Sequence, residues 1–542
     1  MSDCFLHIRR EADGFEIAGP AAGMAGHKIQ NSGRTVPDGI FAEWAWDGGR
    51  LQIRNDRYGF HPIYYFANRD EIAVSTSIVR LLEAGAPRTL DEAGLAAFLR
   101  LGFFLGEDTP FLAIRALPPS SVLEWQNGEL AVSGQITVMK PSSLSRGAAI
   151  DGYISLFRDA IRRRQPSNPN VVVPLSGGHD SRHILLELCR QNSPPDFCVT
   201  ARAFPTIEVY NEFEVASALC RSLGLSHLTL DQRGSMAQAE LNKNLRTGFC
   251  SFEHNWYLVV ADHLNRTAGA VYDGIGGDVL SAGPFLSEKR VDLCERGRLR
   301  ELSDDLISVI TDQLIENSLC PDLARRLNPE VAFARFETEF RKHLDAPDPV
   351  SSFHFWNRTR RSISLCPYGL LRDTREVFSP YLDHEVFDLL ASLPARMFLD
   401  QTFHTETIQR AYPEFAHFPF SERKDPGGSY RKPYRLYALA AMRYLLRARS
   451  HILLRGSYFV PRLMRCLIDR SYLPAAEWIG SFALFLAQLE SIIGVSAPPS
   501  DLPSSPDAPE RSRQARRLAP AAAQSHRKSP DRWRSRRRAD SS

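Results

Sequence analysis

Through the first 140 residues, apolar and polar positions alternate in short bursts broken by Gly, Asn and Asp, as in LQIRNDRYGFHPIYYF (51–66) and EIAVSTSIVRLL (71–82). That rhythm predicts short strands and turns. LDEAGLAAFLRLGFF (90–104) instead has helical spacing, with Asp91 near its start. From about residue 148 the pattern changes. AIDGYISLFRDAIRRR predicts a helix, VVVPL a buried strand, HILLELC a helix, DFCVTARAF a strand, YNEFEVASALCRSLG a helix and LSHLTLD a strand, with AVYDGIGGDVL further on. Strands alternating with helices predict a doubly wound parallel sheet. Residues 300–495 read as mainly helical, and no internal repeat is visible.

The chain has 542 residues, too many for one core. The expected division is residues 1–140, then 148–495, joined by a linker at MKPSSLSRG (139–147), then a Pro/Ser-rich tail, 496–542, expected to be disordered. With 43% hydrophobic and 24% charged residues, the rest should be folded. The net charge of +3 conceals an asymmetry: residues 511–542 hold eleven Lys or Arg and two Asp, leaving −6 on the remainder. A nucleic-acid role would rest on this tail alone, as nonspecific phosphate attraction. Nine cysteines without a Cys-x-x-Cys pair argue against a disulfide framework or zinc module and for a reducing cytoplasm. No signal peptide is expected, and WIGSFALFLAQL, between Glu477 and Glu490, falls short of the roughly 20 residues that a membrane span needs.

The candidate chemistry lies in VVVPLSGGHDSRHILLELC (171–189), where a strand runs through a Ser-Gly-Gly-His-Asp-Ser loop straight into a helix. Gly177 and Gly178 let backbone N–H groups and the helix dipole approach an anion, and Ser176 and Ser181 add hydroxyl donors. Asp180 cannot donate to a phosphate when ionised, so it is better suited to hold Mg²⁺ that bridges phosphates. No Gly-Lys-Ser/Thr follows, so the Walker pattern is absent. The loop alone is equally compatible with an ordinary strand-to-helix turn.

PLSGGHDSR resembles the pyrophosphate (PP) loop of the ATP pyrophosphatases, and four further segments narrow the resemblance to the asparagine synthetase family. These are YNEFEVASALCRSLGLSHLTL (210–230), DGIGGDVLSAG (273–283), REVFSPYLDHEVFDLLASLP (375–394) and SERKDPGG (421–428), in the family's order. Residues 39–66 and 90–125 resemble its amino-terminal glutaminase, so the likeness runs from about residue 35 to 430. It implies a degenerate αββα Ntn-hydrolase-like domain, then a doubly wound parallel-sheet adenine-nucleotide hydrolase-like domain with a helical C-terminal part. It also implies ATP and Mg²⁺, with nucleotide contacts at Ser176, Gly177, Gly178, Asp180, Ser181, Gly274 and Gly276. Asp180 and Asp278 would hold the metal, and Lys424 would be catalytic.

Two departures change the expectation. The family's glutaminase uses a cysteine directly after the initiator methionine, whereas here Ser2 and Asp3 precede Cys4, and neither an Arg-Gly-Pro-Asp nor an Asn-Gly-Glu segment is present. Nucleophile, base and substrate clamp are all missing, so glutaminase activity should be lost, with Cys4 a small packing residue. In the second glycine loop, two acids of the family become Ile275 and Val279, which puts aspartate as substrate in doubt. Glu376 is the candidate base in place of Ile275. His179, in the loop's variable position, is expected to face solvent, and His183 to be a core histidine.

The expected activity is an ATP-dependent, amide-forming ligase. It would adenylate a small-molecule or peptide carboxylate, release pyrophosphate, and transfer the acyl group to ammonia, from solution or a separate ammonia-supplying protein, or to an amine of the substrate itself. The last would resemble β-lactam synthetases and lasso-peptide cyclases. A non-catalytic ATP- or partner-binding scaffold is the alternative; retention of both Asp180 and Asp278 argues against it.

Overall fold

The computed structural model describes residues 4–29, 37–207, 209–306, 311–371, 375–447 and 452–494. Ser2, Asp3 and the basic tail, on which three of the expectations above rest, lie outside these residues.

The alternating segments form two five-stranded sheets stacked face to face. The strands are β1 (Phe5–Glu11), β2 (Gly14–Ala18), β3 (Ala22–Lys28), β4 (Gly39–Trp46), β5 (Arg50–Asn55), β6 (Tyr64–Ala67), β7 (Glu71–Ser75), β8 (Arg115–Ala116), β9 (Val122–Gln126) and β10 (Glu129–Ser133). One sheet runs β2-β1-β7-β6-β8 and the other β10-β9-β5-β4-β3. Leu6, Ile8, Trp44, Leu51, Ile53, Val74 and Trp125 interdigitate between them, as strict alternation requires. Helices α1 (Ile78–Glu83) and α2 (Glu92–Leu101) cover the outer face of the first sheet. Asp91 caps α2 by accepting from Gly94 N, and Gly102 ends it in the left-handed region. Among the described residues no helix within 4–140 covers the second sheet, so one helical layer of an αββα sandwich is lacking. Ile40, Tyr58 and Phe60 on that side instead join the core of the following unit.

After α3 (Arg146–Arg163) the chain alternates β11 (Val171–Pro174), α4 (Asp180–Arg190), β12 (Phe197–Arg202), β13 (Val209–Tyr210), α5 (Glu212–Ser222), β14 (His227–Asp231), α6 (Met236–Arg246), α7 (Leu258–Thr267), β15 (Ala270–Tyr272) and α8 (Gly277–Ser281). The main sheet, β14-β12-β11-β15-β16 with β16 at Glu376–Phe378, is parallel throughout. Strand order reverses between β11 and β15, so the loops that follow them open on opposite sides of one crevice. The rest is mainly helical, apart from β16 and a short β17 (Arg423–Lys424), antiparallel to β13.

The segment expected to be too short for a membrane belongs to a longer run, Leu473–Ile493, the one helix among the described residues with the length and mean hydropathy to cross a bilayer. It is a core helix: 67% of its apolar window is buried, and Phe485 stacks on Phe98 of α2 at 5.4 Å.

Candidate active site

The two glycine-rich loops meet at the crevice. In the first, Ser176 N donates to Ser181 Oγ (3.0 Å), Gly178 N to Ser176 Oγ (3.1 Å), and the two hydroxyls lie 3.1 Å apart. The serines thus shape the loop, whose chain passes directly into α4, where no side-chain cap occupies the first-turn N–H groups. The second loop presses on Asp180. A Cβ at Gly274 would lie 2.8 Å from Asp180 Cβ, and one at Gly277 2.7 Å from Asp180 Cγ. Glycine is therefore required at both positions for the loops to approach. Gly276, at φ +89°, turns the chain into α8.

Asp180 and Asp278 both line this cleft, and Asp278 Oδ1 accepts from Val279 N at 2.7 Å. Among the described residues no group of three or more His, Cys, Asp or Glu could cage a metal. Two carboxylates beside a glycine-rich strand-to-helix loop fit Mg²⁺, which takes one or two protein carboxylates and completes its shell with other oxygen ligands. The glycine-walled recess that positions Asp180 is consistent with that use.

Ser176, Asp180, Ser181, Gly274, Gly276 and Asp278 all border the cleft. Gly177 lies under the loop that precedes β17. Its O accepts from Ser421 N at 2.9 Å, and a Cβ there would lie 2.5 Å from Ser421 Cβ.

Glu376, Lys424 and His179 depart from their expected places, whereas His183 does not. Glu376 is not in the site. Ala270 pairs with Glu376 at the start of β15 and β16, the end of the sheet opposite the crevice, and its carboxylate accepts from Ser167 N (3.0 Å) and Asn168 N (3.2 Å). Lys424 stands outside the cleft lining, exposed, with Nζ 3.6 Å from Glu214 Oε1. His179 is only partly exposed: it stacks on Phe420 at 3.8 Å and bonds Thr405 Oγ1 at 2.8 Å. His183 is a core histidine, 1% exposed and stacked on Phe157. Ile275 borders the cleft, but Val279 does not; it packs with Leu280, Phe355 and Trp356 around a separate small cavity. Cys4 is half-buried against the sandwich core, its O accepting from Ser75 Oγ at 2.8 Å.

The structure also brings in groups that the sequence did not single out. Asp273, at the end of β15, lines the cleft and accepts from Ile275 N at 2.9 Å; burial pushes its carboxyl up to about 6 despite that bond. The Tyr257 hydroxyl is buried at the same cleft and has no hydrogen-bond partner among the described residues. Arg358, in a π-helical turn (Phe355–Thr359), reaches the cleft with Nη2 3.6 Å from Glu253 Oε2. Asp273 had one available signal, its place at the end of the predicted strand AVY; the other two reach the cleft from distant segments.

No curated protein matches the chain. Among solved structures, glutamine phosphoribosylpyrophosphate amidotransferase from B. subtilis, complexed with ADP and GMP, is 9% identical over 43% of this chain and 64% of that one, with a TM-score of 0.15. A structure described as the allosteric regulatory enzyme of purine biosynthesis is 10% identical over 51% of this chain and 50% of that one, with a TM-score of 0.13. The chain thus spans between half and two thirds of those proteins, and likenesses this slight transfer neither structure nor activity. Family models are more informative: one described as a glutamine amidotransferase domain matches residues 27–135, beginning beyond Cys4, and one described as asparagine synthase matches residues 152–411. These two domains in this order match the architecture of the asparagine synthetase family.

Proposed function

We propose that the protein joins a carboxylic acid to an amine at the expense of ATP, through an acyl-adenylate, without hydrolysing glutamine. The observation that carries this reading is the meeting of two glycine loops at the sheet's switch point, which sets Asp180 and Asp278 on either side of one cleft.

The first loop and the N-terminus of α4 receive the β- and γ-phosphates. Bound Mg²⁺ on Asp180 and Asp278 would neutralise the phosphate charge. A substrate carboxylate oxygen attacks the α-phosphorus, the bond to the β-phosphate bridge breaks, and pyrophosphate leaves. The amine then attacks the acyl carbon, AMP departs with one former carboxylate oxygen, and the amine loses a proton. Asp273, with its carboxyl near 6, is ionised at neutral pH and is the cleft's candidate proton acceptor. Arg358 supplies a cation for the substrate carboxylate, and the Tyr257 hydroxyl a hydrogen bond for its polar groups. Lys424 can contribute only by leaving Glu214, which costs little, since exposed pairs are worth about 0–1 kcal/mol.

Ile275 at the cleft offers no counter-charge to an α-ammonium group, so aspartate is disfavoured as the acid. Cys4 packs against the sandwich core rather than at a cleft, which favours ammonia from elsewhere or an amine of the substrate as the acyl acceptor. ATP–pyrophosphate exchange across a panel of carboxylic acids tests the reading. Mg²⁺-dependent exchange is expected with at least one acid lacking an α-ammonium group, and aspartate is expected to support little. Exchange with aspartate alone would refute the assignment of Ile275.

A further inference from the structure

Behind Asp180 lies a histidine that neither the loop motif nor the cleft lining includes. His404, on the helix Phe403–Ala411, is 1% exposed. Its Nδ1 lies 3.0 Å from Ser281 Oγ and 3.4 Å from Asp180 Oδ1, and its Nε2 lies 3.3 Å from His183 Nδ1. Ser281 decides the direction of the first contact. Its one hydroxyl hydrogen goes to Gly277 O at 2.7 Å, so its oxygen can only accept from His404. Nδ1 therefore carries hydrogen and presents it to Ser281 Oγ and Asp180 Oδ1 together. The contact to His183, itself stacked on Phe157 at 3.8 Å, fixes the rotation of the His404 ring.

The consequence falls on the carboxylate. Asp180 Oδ1 is buried on the His404 side, whereas 24% of the Asp180 side chain is exposed, so it is the other oxygen that can turn to the cleft. Ser281 ends α8, the helix that carries Asp278, so one imidazole touches the elements bearing both carboxylates. Resting on the proposed function, we propose that His404 is a positioning residue whose Nδ1–H fixes which oxygen of Asp180 is offered to the metal. This is the geometry in which an outer partner orients a ligand.

The test uses two isomeric donors in the full-length chain. In H404N the side-chain NH₂ can take the place of Nδ1–H, whereas in H404Q it reaches the Nε2 position. Calorimetry gives the Mg²⁺ concentration for half-maximal ATP binding, with metal-free ATP binding and the thermal midpoint measured alongside. H404Q is expected to raise that concentration by about 10- to 100-fold, the usual effect of losing such a partner, with metal-free binding unchanged, while H404N stays close to wild type. Equal shifts in both variants, or none in either, would overturn the inference while leaving the proposed function standing. Absence of Mg²⁺-dependent ATP binding in the wild-type chain would overturn both.

Discussion

Asp180→Ala is expected to lower Mg²⁺-dependent ATP–pyrophosphate exchange by about 10³-fold or more, the equivalent of the several kcal/mol that a divalent ion contributes to a charged transition state. The substitution removes one of the two carboxylates that line the cleft and leaves the hydrogen bonds of the first glycine loop, Ser176 to Ser181 and Gly178 to Ser176, untouched. Folding should be preserved, because the lost side chain lies against glycines and the cleft rather than in the apolar core. The thermal midpoint and circular dichroism check this. A variant that keeps a tenth or more of the wild-type exchange rate would remove Asp180 from the metal-binding role.

The second large effect concerns stability. Arg164, at the end of α3, is 2% exposed. It bonds both oxygens of Asp38 at 3.1 Å and Asp383 Oδ2 at 2.8 Å, and Asp38 and Asp383 are both fully buried. Asp38 immediately precedes β4 of the first unit, and Asp383 caps the helix His384–Ala391 by accepting from Glu385 N. One guanidinium thus joins the sandwich to the sheet domain. Arg164→Leu takes from two buried carboxylates the guanidinium they share, leaving Asp383 to Arg163 alone, and is expected to cost about 3–5 kcal/mol, read from urea unfolding. The pH dependence has a definite sign. Burial alone would raise the Asp383 carboxyl, but Arg164 and Arg163 outweigh it and hold it well below the usual range. Its contribution is therefore present above about pH 4, the unfolded value, and is lost as the pH falls below that. The gap between wild type and Arg164→Leu should narrow on acidification. A gap that stays constant from pH 7 to pH 3 would show that the carboxylates are not what the arginine stabilises.

The local parts of this molecule were legible in the chain. Alternation produced the sandwich strands, Asp91 the start of α2, and the β-branched run before Ser176 the strand that leads into the first glycine loop. What was not legible depends on register and on distant contacts. Glu376 resembles a candidate base until strand pairing with Ala270 puts it at the far end of the sheet. Val279 and Ile275 look equivalent in the loop, yet the tight turn at Gly276 and the start of α8 direct one to the cleft and the other to a cavity behind it. His404 has no local signal at all. It comes beside Asp180 only because the helix Phe403–Ala411 packs behind the first glycine loop, more than two hundred residues away in sequence.

The central claim is that a carboxylate is activated by adenylation. It is tested most directly by supplying the accepted acid with oxygen-18 in both carboxyl positions, running the complete reaction with ATP and amine, and examining AMP and phosphate by mass spectrometry. The account predicts one labelled oxygen in the AMP phosphoryl group and none in pyrophosphate. Label in inorganic phosphate, with ADP as the nucleotide product, would mean an acyl-phosphate route and would contradict it.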